Sequence, residues 1–311
     1  MRKVIGIGET VLDIIFKNEK PINAVPGGST YNAIISLARS GVETSFISEA
    51  GNDRVGEHII QFLKDNGADA SHVSVFPGSK SPLSLAFLDD NNDAEYIFYK
   101  DHPHDRLDFV YPDVQPDDII IFGSFYALNP VIRPQVVAFL DYAKSHGAIL
   151  YYDVNFRAAH KTDVMKITPN LLENLDYADI VRGSHEDFKA LYNIDDAEKV
   201  YNAEISFYSK RFIYTCGAGD VRVFSDNGFR KDYPVAASDT VSTIGAGDNF
   251  NAGFVYGLIR NNITRQMLES GLTESQWDNI ISYALAFSAD CCRDIYNYVS
   301  KDFGEKMKAQ K

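Results

Sequence analysis

Cysteine is scarce: three in 311 residues, Cys216, Cys291 and Cys292. An odd number with one adjacent pair does not make a disulfide framework, and no cysteine–histidine spacing suggests zinc. Positive charge is short too, with 30 Lys and Arg against 43 Asp and Glu, a formal net charge of −13. So acidic a chain argues against nucleic acid or an anionic membrane as the main partner. Positive potential for any anionic ligand must be local, from helix N-termini, a few basic side chains or a metal. No apolar run is long enough to span a bilayer. The opening Met1-Arg2-Lys3-Val4-Ile5-Gly6-Ile7-Gly8 is basic then apolar, but Glu9 and Asp13 interrupt it too early for a secretory signal. A cytoplasmic protein is expected. Internal repeats, low-complexity tracts and dividing linkers are missing, so the chain reads as one domain, 1–311. The dinucleotide fingerprint is missing as well: after Gly6-Ile7-Gly8 the next required glycine is Val11. A dehydrogenase therefore stands behind other readings.

What is present is 45% hydrophobic, enough for a large core. Short apolar runs at 4–7, 119–122, 148–152, 180–181 and 212–214 read as buried strands. Helical patterns lie between them, among them 56–66, stopped by Gly67, and 131–145, opened by Asn129-Pro130 and closed by Gly147. A third apolar helix is expected over 280–298, with Cys291 and Cys292 packed inside it. The alternation predicts an α/β fold, a mostly parallel central sheet with helices on both faces. Two segments break the rhythm. Residues 83–88 and 95–99 are β-patterned and joined by a polar turn at 89–93, which reads as a hairpin. With the extended stretch 10–16, which runs on towards Pro21 and Pro26, this predicts a small β lid from segments at about 10–26 and 80–104. Such a flap suits chemistry that must exclude water; an ordinary edge hairpin is the plainer alternative. His102 and His104, in the loop beyond, read as solvated.

The most informative stretch is Val241-Ser242-Thr243-Ile244-Gly245-Ala246-Gly247-Asp248, followed by apolar residues at helical spacing. A helix start exposes unpaired N–H groups and partial positive charge, and glycine lets the backbone approach a ligand. Asp248 then sits at the mouth of an anion hole, placed to take a proton from an attacking hydroxyl. The combination reads as phosphoryl transfer to an alcohol, against the plainer reading of a glycine turn with an acidic first helical turn. Gly27-Gly28 opens a second helix with Asn32 on its first turn; with Asp13 these supply a carboxylate, an amide and N–H donors, a set suited to sugar hydroxyls. Taken alone, the glycine pair reads equally as structure and Asn32 as a local cap. Asp153-Val154-Asn155-Phe156-Arg157 follows a strand at its carboxyl end, where open α/β sheets bind ligands. Arg157 can face a phosphate or an acidic substrate group. Gly183-Ser184-His185-Glu186 follows another strand: Glu186 can hold magnesium through water, or Ser184 and Glu186 simply start a helix. Thr215-Cys216-Gly217-Ala218-Gly219 ends a further strand, close to where a nucleotide would pass.

The order Gly8-Glu9 with Asp13, Gly27-Gly28 with Asn32, Gly51-Asn52-Asp53-Arg54-Val55-Gly56, Asp153-x-Asn155-x-Arg157 and Gly245-Ala246-Gly247-Asp248 resembles the ribokinase-like PfkB family of carbohydrate kinases. The resemblance runs over essentially the whole chain. It implies a three-layer α/β/α domain with a β lid, and ATP with Mg²⁺ as phosphoryl donor to a sugar hydroxyl. By match it implies Asp248 as catalytic base and Gly245, Ala246 and Gly247 as anion hole. Asp13, Gly28 and Asn32 become sugar contacts, beside Gly27, Asn155 and Arg157, and Glu186 the metal-associated carboxylate. Thr215, Gly217 and Gly219 fall at the nucleotide loop, and lid-to-lid homodimers are common among similar families. Three positions depart from the pattern. Ser242 replaces an aspartate that helps a monovalent-cation site, which puts K⁺ activation in question. Gly183 stands where an asparagine precedes Glu186, and Asp220 where a glycine is common. The opening motif and Asp153–Arg157 look most similar to the fructokinase and 2-keto-3-deoxygluconate kinase branch. The expectation is an ATP-dependent sugar kinase acting on fructose at its 6-hydroxyl, with 2-keto-3-deoxygluconate or another sugar as alternative. A non-catalytic sugar- or nucleotide-binding regulator on the same scaffold is the alternative of another class.

Overall fold

The computed structural model describes residues 2–89, 94–99, 107–157, 162–225, 228–236 and 240–310. Thirteen strands form two sheets among these residues. The large sheet holds β1 (Lys3–Ile7), β4 (Glu43–Gly51), β5 (Val73–Phe76), β8 (Ile119–Gly123), β9 (Ile149–Asp153), β10 (Ile180–Ser184), β11 (Phe212–Thr215), β12 (Val221–Phe224) and β13 (Arg230–Tyr233), in the order β13-β12-β11-β10-β9-β8-β1-β4-β5. Pairing is parallel from β5 across to β11 and antiparallel only at the β11–β12–β13 edge. The small sheet holds β2 (Val11–Lys17), β3 (Lys20–Gly27), β6 (Leu83–Leu88) and β7 (Ala94–Tyr99), in the order β3-β2-β6-β7.

The two-residue period of the central strands builds two cores at once. In β8, Ile119 and Ile121 enter one core while Ile120 and Phe122 enter the other; in β9, Ile149 and Tyr151 alternate in the same way with Leu150 and Tyr152. The first core is covered by α1 (Ser29–Arg39), α2 (Arg54–Asp65), α8 (Ala246–Arg260), α9 (Arg265–Ser270), α10 (Glu274–Cys291) and α11 (Lys301–Ala309). The second is covered by α3 (Ser124–Leu128), α4 (Arg133–Ser145), α5 (Val164–Tyr177), α6 (His185–Tyr192) and α7 (Ala197–Val200), which runs into a π-helical turn at Tyr201–Ile205. β1 and β8 are apolar along their buried lengths, which is why they read as short continuous runs rather than alternating ones, whereas buried β4 and β10 carry polar residues such as Glu49 and Arg182.

β2 and β6 of the small sheet do alternate. Asp13 and Ile15 of β2 and Ser84, Ala86 and Leu88 of β6 are buried on one face, with Tyr96 of β7 and Ile244 of the main domain packed against the cluster. On β7, Ile97, Phe98 and Tyr99 are all exposed. The turn at 90–93, residues 100–104 of the expected lid, and His102 and His104 lie outside the described residues. One helix differs from expectation: α10 stops at Cys291 instead of running to 298. Asn297, Tyr298 and Val299 are bonded instead to Asp13, Pro26 and Ser36, far away in the chain, and these partners replace helical continuation.

Candidate active site

α8 begins where Gly245 takes the left-handed backbone, φ 74°, as its N-cap. A side chain there would stand 2.8 Å from the carbonyl oxygen of Asn297, so glycine is required twice over. The turn before it is local: the Ser242 hydroxyl accepts from the N–H of Ile244 at 3.2 Å, and Ala246 N–H donates to the Thr243 carbonyl at 3.1 Å. Asn249 pins the first turn from beneath, its amide donating to the carbonyls of Gly245 and Asn297, each at 2.8 Å. On that turn, Asp248 Oδ2 accepts from Asn32 Nδ2 at 2.7 Å. Burial pushes the Asp248 carboxyl up to about 6; the nearby Asp153 charge adds to this, while Asn32, Ser29 and Arg157 hold it down. It is therefore ionised at neutral pH yet a stronger base than an ordinary carboxylate.

Asp13 lies across from it on β2, buried, with Ser84 donating to Oδ1 and Asn297 Nδ2 donating to Oδ2 at 2.9 Å. Burial raises its carboxyl to about 6 as well, partly offset by those two donors. Gly27 packs against the Asp13 carboxylate, and Gly28 is the N-cap of α1, which carries Asn32. Asn32 is buried and its Oδ1 has no protein partner. Beyond β9, Asn155 adopts a left-handed backbone, φ 35°, and Arg157 is exposed, its charge acting on both Asp248 and Tyr96. Four of the expected sugar contacts, Asp13, Gly27, Gly28 and Asn32, thus meet the expected base Asp248 through direct contacts or a shared helix start, with Arg157 at the rim.

The strand ends of β10 and β11 are built differently. Thr215 is buried, and its hydroxyl accepts from Arg182 Nη2 at 2.7 Å. Gly217 (φ 57°) and Gly219 sit on an exposed turn closed by Gly219 N–H to the Cys216 carbonyl at 2.8 Å. Glu186 is exposed on the first turn of α6. The inward carboxylate is the next residue, Asp187, which forms a capping box with Ser184 and accepts from the N–H of Phe156 at 2.8 Å. Among the described residues no three His, Cys, Asp or Glu side chains converge as a metal site.

A helix start and a carboxylate of raised basicity on its first turn are parts that phosphoryl transfer to an alcohol can use. Residues 1–277 match the pfkB family carbohydrate kinases. The chain belongs to that family. Its fold is the ribokinase-like α/β fold, and it is a phosphotransferase acting on a sugar hydroxyl; kinases of this family use ATP. It is 30% identical over 247 residues to a 5-dehydro-2-deoxygluconokinase of Geobacillus thermodenitrificans, covering 75% of this chain and 72% of that one. It is 25% identical over 274 residues to Fructokinase-1 of Oryza sativa, covering 83% of each. Among solved structures it is similar to the aminoimidazole riboside kinase of Salmonella enterica, with a TM-score of 0.83, 20% identity and 99% of each chain covered.

Within this carbohydrate kinase, Arg182 carried no sequence signal, although its partners Asp153 and Thr215 did. Arg182 is buried beneath α8, bonded to Asp153 Oδ1 at 3.0 Å and to Thr215, and a side chain on Gly247 would stand 3.1 Å from its Nη2. Burial opposes its charge, but Asp153 and Asp187 more than offset that and keep it protonated. Asp153 itself is held by Arg182, by Asn251 Nδ2 at 2.8 Å and by Ser29. These are single residues inside strands and helices, and only the folded topology shows what they touch.

Proposed function

We propose that this kinase transfers the γ-phosphoryl group of ATP to a hydroxyl of a neutral sugar, with fructose at its 6-hydroxyl as the first substrate. The observation that carries the reading is the facing pair of raised carboxylates, Asp248 at the start of α8 and Asp13 on β2. In the proposed mechanism Asp13 and Asn32 hold sugar hydroxyls, and Asp248 takes the proton of the attacking one. The N–H groups at the start of α8, at Gly245 and Gly247, stabilise the charge that builds on the transferred group, while that of Ala246 is taken by the Thr243 carbonyl. Neutral sugar is favoured because the charges of Glu9 and Asp248 both act on Asp13; an anionic substrate placed among them would be repelled. Thr215, Gly217 and Gly219 are proposed as the nucleotide edge.

Mg²⁺ supplies charge neutralisation on the phosphates, and the exposed Glu186 is the residue that would hold it through water. Magnesium is commonly held by one or two carboxylates together with phosphate oxygens and water, so a single carboxylate can serve. Ser242, turned into its own backbone, supports an altered monovalent-cation site. The exposed Ile97 and Tyr99 on β7 support a homodimer that meets through the lid, and dependence on ATP supports a cytoplasmic setting.

A second reading, a sugar acid, is favoured by Arg157 at the cleft rim and by the 5-dehydro-2-deoxygluconokinases among the relatives. The test is ATP-dependent ADP release with Mg²⁺ over fructose, 5-dehydro-2-deoxygluconate, 2-keto-3-deoxygluconate, ribose and tagatose, with and without K⁺. Preferred turnover of fructose supports the first reading and preferred turnover of an acid the second. Sugar or ATP binding without turnover of any would instead favour a non-catalytic regulator.

A further inference from the structure

The family match stops at residue 277, but the cleft does not. Between α10 and α11 the chain passes directly behind it. Asn297 is 1% exposed, and its Nδ2 donates to Asp13 Oδ2 at 2.9 Å. Its backbone carbonyl accepts from Asn249 and lies against Gly245, the N-cap of the helix that carries Asp248. Its neighbours tie the same segment down: the Tyr298 hydroxyl donates to the Pro26 carbonyl, and Val299 N–H donates to Ser36 Oγ at 3.1 Å and Asn249 Oδ1 at 3.2 Å. Gly27 is small where it must be, since a side chain there would overlap the Asp13 carboxylate and stand 3.0 Å from Asn297 Nδ2.

We infer that Asn297 is a positioning residue of the sugar site, holding the Asp13 carboxylate in place from behind and linking it to the start of α8. The inference rests on the reading of Asp13 as a sugar contact. The physical need is specific. Asp13 is buried, it feels the charges of Glu9 and Asp248, and the phenols of Tyr96 and Tyr298 face it. Among the described residues, Ser84 and Asn297 donate the side-chain hydrogen bonds that favour its charged form. A carboxylate deprived of one of two donors in such a place binds its proton more tightly and loses its orientation. Because Asn297 reaches Asp13 by its side chain and α8 by its backbone, the sugar contact and the anion hole share one support.

The test uses the full chain with ¹³C-carboxyl aspartate, the Asp13 resonance being identified by its loss in Asp13→Asn. Asn297→Leu removes the donor without admitting water, and Asn297→Asp, nearly isosteric, sets a second carboxyl against the first. In both, Asp13 should titrate higher than in the wild type by about one pH unit. The KM for the accepted sugar should rise tenfold or more while the KM for ATP stays within about twofold. An unchanged Asp13 titration in both variants overturns the inference, as does a sugar KM that rises no more than that for ATP. If the wild type phosphorylates no sugar, the proposed function fails, and the Asp13 titration, which needs no substrate, still decides the role of Asn297.

Discussion

The two halves of the cleft are assembled in opposite ways. On the proposed sugar side, residues far apart in the chain hold one another: Asp13 with Asn297, Asn32 with Asp248, Asp153 with Asn251. Each bond ties together polar side chains from distant parts of the chain. On the proposed nucleotide side, Gly217 and Gly219 lie on a short exposed turn, and a side chain added at Gly217 would meet nothing within 4 Å. Arg182 connects the halves, one nitrogen on Asp153 and the other on Thr215. The difference separates two design problems. Proton abstraction demands fixed geometry, bought with desolvated carboxylates, whereas an open turn can receive a ligand by adjusting around it.

Breaking the rigid half at its centre should have the largest effect. Asp248→Asn should lower kcat by about 10²–10⁴-fold with little change in sugar KM, because only the proton acceptor is lost; steady-state kinetics checks this. The same variant should melt at a higher temperature. The folded-state value near 6 lies above the ordinary carboxylate value, so at pH 7 the ionised group opposes folding, on the order of 1–3 kcal/mol. Denaturation at pH 7 would reveal an unchanged or lowered stability if that reasoning were wrong.

Asp13→Asn should act on binding, raising sugar KM about ten- to a hundredfold through loss of a charged hydrogen bond, with ATP KM nearly constant. The wild-type kcat/KM for sugar should fall as pH drops through about 6, where both Asp248 and Asp13 take up protons, and level off above it. A profile flat from pH 5 to 8 would show that neither carboxylate must be ionised. The smallest effect belongs to the open half. Gly217→Ala strains a left-handed residue, at about 1 kcal/mol, but clashes with nothing, so ATP KM should rise only a few-fold and sugar KM should not move.

Much of this arrangement was legible in the sequence where local chemistry sets it. The glycines around Ala246, the hairpin of β6 and β7 and the apolar strands each announce themselves within a few residues. The antiparallel β12 and β13 were missed because they are only four residues each and carry charges at Arg222, Arg230, Lys231 and Asp232. Asn297 and Arg182 were invisible for another reason. Asn297 sits in a segment whose apolar spacing looked helical, and Arg182 is one charge in a buried strand. Glu186 and Asp187 show the limit at single-residue resolution: two adjacent acids read alike, and only the helix start sends Asp187 inward and Glu186 to solvent.

The central claim is that the sugar half stands ready before nucleotide arrives. Calorimetric titration of the nucleotide-free protein with the sugar it phosphorylates, repeated with a non-hydrolysable ATP analogue, tests this directly. The account predicts sugar binding in both, with Kd values within about tenfold of each other, a coupling of about 1.4 kcal/mol or less. Sugar binding that appears only after the analogue is bound would contradict it.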